Sequence, residues 1–438
     1  MASCAGSRNT AASPGGEHRE WCEPGVLQQI RRKTLARLRK EVVPAEQDVF
    51  ARFLGRWQGV GSKRRGVDAL IDAIEVLQGA ELIVSDLESE ILPARVADYR
   101  PEDLDALLAS NEVVWVGRGR LGDRDGRVSL YMSASLLRLI APADAPVSER
   151  AQLIRELLQQ FGASFLATIH SASGGGFLND TIDALWELAW AGYITNDTFY
   201  PVRTWIAPPE KRTGKRPPGQ GRWSLLQRQP VAPAEWSAAT AKQLLLRNGI
   251  VMRETALAEN VAGGYSGVYP ALRTMEEGGL VRRGMFVAGM GAAQFAMPAA
   301  VDLLRRLRND SGKADTVYLA ASDPANPYGS LLPWISGGAR ASGASVVLVN
   351  GRLAAFLRRR NPSIRVFLPD DEPERSQTAR ELAEKLADVA LARQNRRQGL
   401  LIGEINDHPA REHFLAHALQ EAGFVDTAAG FHMRRTDA

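Results

Sequence analysis

The stretch of residues 263–308 constrains the fold of this chain most, because a helical pattern passes into a hairpin pattern within it. Val268, Leu272 and Met275 recur at helical spacing and make one apolar stripe, which predicts a helix with one buried side. Pro270 predicts that this helix begins just before it, since a missing N–H costs little in the first turn. The helix is thus expected to pack through one face and to leave its other faces open.

A hairpin is predicted directly after this helix. Gly278 and Gly279 stop the helix, since glycine takes the left-handed conformation of a helix C-terminus without strain. Residues 280–283 and 285–287 then form two short strands on either side of Gly284. Two further short helices are predicted upstream, at residues 240–247 and 254–261.

Three helices followed by a hairpin make a winged helix, a fold whose third helix enters a groove of DNA while the hairpin, or wing, meets phosphates. On this interpretation the DNA-binding residues are Ser266, Tyr269, Arg273, Arg282 and Arg283. The competing interpretation makes Arg282 and Arg283 a solvated turn, and Tyr265 and Tyr269 packing residues. One helix and one hairpin do not decide between the two.

Composition narrows the class of protein. With 438 residues and 45% hydrophobic content, the chain can bury several cores and is expected to fold as more than one domain. Its two cysteines, Cys4 and Cys22, provide neither a disulfide framework nor the spacing of a zinc site. The N-terminal segment lacks the apolar core of a secretory signal, and polar residues interrupt the long apolar runs. We therefore expect a cytoplasmic protein without a membrane partner.

A helix-to-strand repeat recurs along the chain in LDALLASNEVVW, LWELAWAGYITN, LRTMEEGGLVRR and HALQEAGFVDTA. In each copy an apolar helix residue precedes the first β-branched strand residue by six positions. The pairs are Leu107 and Val113, Leu188 and Ile194, Met275 and Val281, and Leu419 and Val425. A candidate hairpin follows each copy, such as residues 113–118 with 128–132. Tandem winged helices explain this recurrence.

The predicted fold class is α+β, with tandem winged-helix domains followed by a small β-barrel or mixed α/β C-terminal domain. The predicted division is a disordered N-terminus at 1–20, a helical or winged-helix module at 21–97, a winged-helix-like hairpin module at 98–145, a winged-helix module at 146–206, a basic Pro- and Gly-rich linker at 207–236, the central winged helix at 237–308, the β-barrel at 309–375 and an α/β module at 376–438. Further predicted elements are a basic amphipathic helix at 27–41, strands at 316–321, 345–349 and 365–368, and a long helix at 376–394.

Several segments closely resemble the C-terminal part of bacterial Lhr-type (large helicase-related) proteins, including the region called the DEAD/H-associated domain. They include ALWELAWAGYITNDTFYPVR, GRWSLL, GGYSGVYPALRTMEEGGLVRR and SDPANPYGSLLPW. The resemblance implies tandem winged helices followed by a β-barrel, a layout similar to that of the AlkZ-like DNA glycosylases. It also implies DNA and a helicase motor domain, in cis or in trans, as partners, and a homo-oligomer as the assembly.

The chain departs from the family at the motor. No Gly-x-x-x-x-Gly-Lys-Ser/Thr segment occurs, since Gly214-Lys215 and Gly312-Lys313 lack both the upstream glycine and the following hydroxyl residue. Asp-Glu-x-His and Asp-Glu-x-Asp are absent as well. We therefore expect no cofactor in this chain, with ATP and magnesium belonging to the associated motor. The chain is expected to be a fragment, a split gene product or a partner that needs the motor in trans.

The sequence contains few residues that indicate a catalytic site. Asp323 in SDPANPYG is a candidate acid for base excision, beside a candidate base pocket formed by Asn326, Tyr328 and Trp334. The alternative is that DPANPYG forms a rigid double-proline turn. No metal site is predicted, since the histidines near the C-terminus lack a third ligand.

Two functions compete at this point. The first is a DNA-binding and self-associating module of an ATP-dependent DNA-repair helicase, without motor activity of its own. The alternative is a DNA glycosylase that flips uracil or a damaged base into a pocket.

The purified chain should bind DNA and show no DNA-dependent ATPase activity, because it carries neither the phosphate-binding loop nor the magnesium ligands of a motor. ATP hydrolysis is measured with and without DNA, against a mock preparation from cells with empty vector. Turnover above that control would contradict the prediction.

Overall fold

The computed structural model describes residues 43–140, 143, 147–207, 219–291, 293–310, 312, 314–335, 337–395 and 399–433, together with Gly25, Val26 and Gln29. One compact unit is formed by Pro44–Ala438. The predicted N-terminus at 1–20 and the basic helix at 27–41, apart from Gln29, lie outside the described residues. Among the described helices, none combines the length and hydropathy that a bilayer crossing requires.

Four three-stranded sheets share one strand order, in which the third strand lies between the first and the second. Each sheet has a helix before its first strand and one or more helices between its first and second strands. This is the arrangement of a winged helix. We call the four copies modules 1 to 4, and the last two strands of each its wing.

Module 1 spans residues 66–132 and follows helix α1 (Gln47–Trp57). Its elements are α2 (Gly66–Leu77), β1 (Leu82–Ile83), α3 (Val84–Asp86) with the π-helical turn Leu87–Ile91, α4 (Pro101–Ala109), β2 (Val113–Leu121) and β3 (Asp125–Met132). Strands β2 and β3 form the predicted hairpin, with Val113 opposite Met132 and Leu121 opposite Asp125. Helix α5 (Ser133–Leu139) follows the wing.

Module 2 spans residues 149–225. Its elements are α6 (Glu149–Phe161), β4 (Ser164–Phe165), α7 (Leu166–Ala172), α8 (Leu178–Trp190), β5 (Ile194–Asn196), α9 (Tyr200–Ile206) and β6 (Arg222–Leu225). Strand β6 lies within the segment 207–236 for which composition predicts a linker, and it pairs with both β4 and β5. Residues 208–218 of that segment are outside the described part of the chain.

Module 3 spans residues 233–296 and contains the stretch on which the sequence interpretation rests. Its elements are α10 (Pro233–Asn248), β7 (Ile250–Val251), α11 (Arg253–Ala258), α12 (Gly264–Glu277), β8 (Arg282–Gly284) and β9 (Gln294–Ala296). Helix α13 (Pro298–Arg308) follows.

The C-terminal part combines a six-stranded sheet with module 4. The sheet joins β10 (Thr316–Ala320), β11 (Ala344–Val349), β12 (Arg352–Arg358), β13 (Ser363–Val366), β15 (Glu404–Ile405) and β16 (His408–Pro409), in that order. Module 4 consists of α14 (Glu374–Asn395), β14 (Leu401–Ile402), α15 (Leu415–Glu421), β17 (Phe424–Thr427) and β18 (Gly430–Met433). No ladder joins β10 to β16 among the described residues. The sheet is therefore open, and the predicted closed barrel is not confirmed.

Modules 1, 2 and 3 pass from α4, α8 and α12 into the next strand through the same turn. In this turn, the backbone N–H of the third residue after the helix donates to the carbonyl of the third-last helix residue. The donor and acceptor residues are Glu112 and Leu107 (3.0 Å), Tyr193 and Leu188 (2.9 Å), and Leu280 and Met275 (2.9 Å). The residue before that donor is left-handed, namely Asn111, Gly192, Gly279 and, in module 4, Gly423. This turn fixes the six-residue spacing seen in the sequence, so the predicted helix-to-strand repeat is confirmed.

The predicted start of α12 at Pro270 is wrong, since the helix begins at Gly264 and contains the proline in its interior. An interior proline removes one helical hydrogen bond, at a cost of about 3 kcal/mol. Val268 and Leu272 are fully buried on the opposite side. Packing of this apolar stripe therefore outweighs the local preference of the proline.

The predicted second strand of this wing is also wrong. Strand β8 pairs with β9 rather than with residues 285–287. The buried side chain of Gln294 accepts from the N–H groups of Phe286 (2.7 Å) and Val287 (2.9 Å) and donates to the carbonyl of Val287 (3.0 Å). Phe286 and Val287 are almost fully buried. These residues fill the core, so the wing is longer than the sequence pattern suggests.

Modules 1 and 2 share one apolar core, which contains Trp115 of the first and Trp186 and Trp223 of the second. Two glycines of the first wing allow this close packing. A Cβ on Gly117 would overlap the carbonyl oxygen of Ala189, and one on Gly126 would lie 2.5 Å from the Trp190 ring. The wing of module 1 is therefore packed directly against the end of α8.

Replacing Gly117 by Ala should lower the free energy of unfolding by about 3 kcal/mol, because the methyl group overlaps backbone that cannot move without opening the shared core. The matched control is Gly55→Ala in α1, where a Cβ meets nothing within 4 Å; that change should stabilise by about 0.5–1 kcal/mol. Denaturant unfolding of both variants gives the comparison. Equal stabilities would show that the joint is loose.

Candidate nucleic-acid interface

Helix α12 of module 3 has a buried side and an open side. Val268, Leu272 and Glu276 are buried, at the helical spacing expected of one face. The exposed positions are Ser266, Pro270, Arg273, Thr274 and Glu277. The predicted contacts Ser266 and Arg273 therefore lie on the open side of the third helix.

Arg273 is held weakly. Its Nη2 lies 3.2 Å from Oε1 of Glu277 one turn later, and the two side chains are 56% and 67% exposed. An exposed pair of this kind contributes at most about 1 kcal/mol and is screened by salt. The guanidinium can thus exchange this carboxylate for a phosphate at little cost.

Tyr269 and Arg283 form a stacked group at the base of the wing. The Arg283 guanidinium lies 5.9 Å from the Tyr269 ring centroid and 5.8 Å from that of Phe295, within cation–π range. The rings of Tyr269 and Phe295 meet edge to face at 5.8 Å. Tyr269 is half-buried, so it acts as packing for Arg283, while Arg282 and Arg283 both keep part of their surface open.

Tyr265 fixes the wing to the helix. Its hydroxyl donates to the carbonyl of Ala293 at 2.6 Å, and its ring lies 5.6 Å from that of Tyr269. Burial raises the pKa of Tyr265, so the hydroxyl keeps its proton and remains a donor. The competing interpretation from the sequence makes Tyr265 a packing residue, and the sequence gives no sign of its role in positioning the wing.

The helix that leads into the second strand of each module, which we call its third helix, is α4, α8, α12 or α15, and these four helices differ in their basic residues. Helices α4, α8 and α15 contain no lysine or arginine. Their acidic residues are Glu102, Asp103 and Asp105 in α4, Asp180, Asp183 and Glu187 in α8, and Glu421 in α15. Among these four helices, α12 alone places an arginine on its open side. Helix α12 also carries the buried Glu276 and the exposed Glu277, so the exposed Arg273, and not the net charge of the helix, distinguishes module 3 as the copy suited to a polyanion.

The first and third wings differ in how much of their surface is open to solvent. The first wing packs on α8, and its Arg120 guanidinium lies 5.2 Å from the ring centroid of Trp205 in module 2. The third wing instead leaves Leu280 and Met285, on either side of β8, 67% and 47% exposed. The first wing is used inside the protein, whereas the third carries arginines toward solvent.

Asp323 lies in a buried ion pair. Its two carboxylate oxygens each accept from Arg95 at 2.8 Å, and both residues are almost inaccessible. Arg95 also donates to Gln58 (2.8 Å) and to the carbonyl of Ile91 (3.0 Å). The pair ties the SDPANPYG loop to the π-helical turn of module 1. As placed, the carboxylate has no face open to a substrate.

The other candidate pocket residues stabilise the same loop. The Asn326 amide donates to the carbonyl of Ala321 (2.9 Å), and the Tyr328 hydroxyl donates to the carbonyl of Gly351 (2.9 Å). Trp334 packs edge to face on Phe356 at 5.8 Å. This geometry fits the double-proline turn, and it does not bring the four candidates around one cavity.

Arg340 completes the loop and was missed by sequence reasoning. It donates to four backbone carbonyls, those of Ser322, Asp323, Asn326 and Tyr328. Burial lowers its pKa to about 10, so the guanidinium stays protonated near neutral pH. No sequence motif marks Arg95 or Arg340, since each acts through contacts that only the fold creates.

A cleft of about 1020 Å³ opens between the six-stranded sheet and the start of α14. Tyr328 lines it, whereas Asp323, Asn326 and Trp334 do not. Its charged lining is mainly acidic, with Asp48, Asp370, Glu374 and Glu381 against Arg352 and Arg375. The cleft is therefore unsuited to a phosphate backbone. Within the described residues, no group of three potential ligands is placed to hold a metal ion.

Two family models match the chain, and both are described as "Large helicase-related protein, winged-helix domain". One covers residues 45–133 and the other covers residues 230–316. These segments contain α1 with module 1, and module 3 with α13. The winged-helix folds of modules 1 and 3 are thus found both by topology and by family.

Two relatives cover nearly all of this chain. The "Lhr helicase/ probable uracil glycosylase" of Mycolicibacterium smegmatis is 36% identical, over 97% of this chain and 30% of that protein. The "Lhr helicase/uracil glycosylase" of Escherichia coli is 33% identical, over 94% of this chain and 30% of that protein. The chain therefore spans less than a third of the length of these relatives.

The solved structure of the DNA glycosylase AlkZ of Streptomyces sahachiroi is similar in fold. The TM-score is 0.53 with 14% identity, over 83% of this chain and 100% of that one. The likeness concerns the fold alone. The chain thus contains two winged-helix domains of the large helicase-related family, is similar over nearly its whole length to part of two Lhr proteins, and lacks the ATPase motifs of a motor.

Proposed function

We propose that this chain is a DNA-binding, helicase-associated module in which α12 and the wing of module 3 contact the duplex. The proposal is supported by the exposed Arg273 of α12, next to the two arginines of the third wing, since the third helices of modules 1, 2 and 4 contain no arginine or lysine. Ser266 and Arg273 would face the groove, and Arg282 and Arg283 would meet backbone phosphates. Tyr269 would position Arg283.

The relatives suggest the setting of this activity. Both are titled Lhr helicases. We therefore propose that the module works with a helicase motor, supplied in cis or in trans, and holds DNA while the motor acts. Self-association of the chain remains a prediction.

The double change Arg282→Ala/Arg283→Ala should weaken binding to all duplex sequences alike, because phosphate contacts carry no sequence information. The slope of log K against log salt should fall by about 0.9 for each phosphate that the variant no longer binds. Affinity is measured by fluorescence anisotropy over a range of salt concentrations. The thermal unfolding midpoint shows whether removal of Arg283 from Tyr269 disturbs the fold.

A matched control removes two arginines from module 4 and its sheet, Arg365→Ala/Arg411→Ala. Both pair with carboxylates, Asp407 at 2.7 Å and Asp426 at 3.8 Å. The control removes the same formal charge and should keep the salt slope. If both double variants bind like the unchanged chain, the DNA surface lies outside the third wing.

A second candidate function is excision of uracil from DNA. It is favoured by the titles of both relatives, which include uracil glycosylase, and by the fold shared with AlkZ. The activity would require a flipped nucleotide and a polar group that activates water or stabilises the sugar cation. With Asp323 held by Arg95, we propose that this group is another residue.

The change Asp323→Asn should lower the free energy of unfolding by about 3–5 kcal/mol, because it leaves the Arg95 guanidinium buried without its counter-charge. The control Asp407→Asn, in an exposed pair, should cost less than about 1 kcal/mol. Both variants are then incubated with a uracil-containing duplex, and abasic sites are revealed by alkaline cleavage. Excision should persist in the folded fraction of Asp323→Asn. A folded, DNA-binding Asp323→Asn variant without excision activity would restore Asp323 as the acid.

A further inference from the structure

Three arginines meet at the joint between modules 1 and 2, and the proposed contact of module 3 does not use them. Arg118 belongs to β2, Arg155 to α6 and Arg228 to the segment after β6. All three are partly open to solvent. We call them the arginine cluster.

Contacts within module 2 bring two of them together. Arg228 Nη2 donates to the carbonyl of Gly192 at 2.5 Å. The Arg155 guanidinium lies 4.6 Å from the ring centroid of Tyr193, the next residue. Arg155 and Arg228 therefore approach the same helix-to-strand turn from two different elements.

The same turn faces module 1. A Cβ on Gly192 would lie 3.0 Å from the carbonyl oxygen of Gly117 and 3.6 Å from Nη2 of Arg228. Arg118 follows Gly117 directly, and its guanidinium donates to Ser129 Oγ (3.2 Å) and to the Tyr131 hydroxyl (3.4 Å). The close packing of the two modules thus gathers the three guanidiniums around one turn.

The charge of this cluster contrasts with that of another arginine at the joint. Arg203 donates to Glu88 at 2.7 Å and to Asp105 at 2.6 Å, so its charge is compensated. Among the ion pairs of the described residues, none includes Arg118 or Arg155, whose contacts are hydroxyl groups and an aromatic ring. Burial, with the charges of Arg118 and Arg155, lowers the pKa of Arg228. The site holds positive charge that an anion would relieve.

We propose that the arginine cluster binds a phosphate group of the DNA backbone, as a second contact point besides module 3. Guanidinium groups present planar pairs of donors that match two phosphate oxygens, and the partly buried setting strengthens the attraction over that in bulk water. Three such groups from three elements would hold a phosphate only while the two modules stay joined. This inference rests on the proposed DNA binding and adds a separate place at which the duplex is held.

The test compares Arg118→Gln/Arg155→Gln with the unchanged chain on a duplex of about 30 bp, roughly three helical turns. Glutamine keeps much of each side chain and removes the charge. The salt slope should fall by about 0.9, since one phosphate would no longer be neutralised. Affinity at low salt should weaken by about tenfold, the equivalent of 1.4 kcal/mol. The matched control is Arg365→Gln/Arg411→Gln, which should leave the slope unchanged.

Two further measurements keep the result decisive. The thermal unfolding midpoint reports whether the double variant is folded, and if it is not, the single change Arg155→Gln on the exterior of α6 should still lower the slope by about 0.9. The variant Arg118→Lys/Arg155→Lys retains the charge, so it should keep the slope while binding less tightly. Folded glutamine variants with unchanged slope and affinity would overturn the proposal.

Comparison of the wing variant with the cluster variant separates failure of this second contact from failure of the proposed DNA binding. If the wing variant Arg282→Ala/Arg283→Ala binds more weakly and the cluster variant does not, module 3 binds DNA and the second contact is wrong. A further outcome is that inorganic phosphate raises the thermal unfolding midpoint of the unchanged chain and not that of the cluster variant. If the cluster variant also keeps the salt slope of DNA binding, the site binds a free anion and not DNA. That result would also overturn the DNA assignment.

Discussion

The close approach of the first wing to helix α8 is the contact on which the arrangement of modules depends. It is possible only because Gly117 and Gly126 lack side chains, and it joins modules 1 and 2 through one tryptophan-rich core. The face of this wing that packs against module 2 cannot at the same time follow a DNA groove. Repeated winged helices in this chain are therefore equivalent in topology and different in use. Modules 1 and 2 form a joined scaffold, and module 3 retains the open surface.

The acidic third helix of module 1 supports this division of roles. Asp105 of α4 accepts from Arg203 of module 2, together with Glu88 of the π-helical turn. The surface that a DNA-binding winged helix would present to the groove is thus used for an ion-pair network between modules. In module 3 the corresponding helix has Arg273 in a weak, exposed pair and a wing whose arginine stacks on Tyr269. On the proposed function, the same fold serves as a joint in one module and as a nucleic-acid surface in another, through the charge of a few exposed positions.

Local rules predicted much of the fold, and long-range contacts account for what they missed. The helix-to-strand turns and the β2–β3 hairpin follow from glycine, asparagine and apolar spacing. The interior position of Pro270 and the pairing of β8 with β9 depend on burial of side chains against distant elements. The site residues on α12 could be placed by periodicity. The buried ion pair of Asp323 could not be predicted in this way, because its partner Arg95 lies 228 positions away in the sequence. The division into domains stays a prediction.

On the proposed function, module 3 faces DNA, and the acidic third helices of modules 1 and 2 do not. Hydrogen–deuterium exchange of the whole chain with and without a duplex tests it directly, since bound segments exchange more slowly. The account predicts slower exchange on binding in α12 and in β8, with α4 and α8 unchanged. Unchanged exchange in α12 and β8, together with protection of α4 or α8, would contradict it.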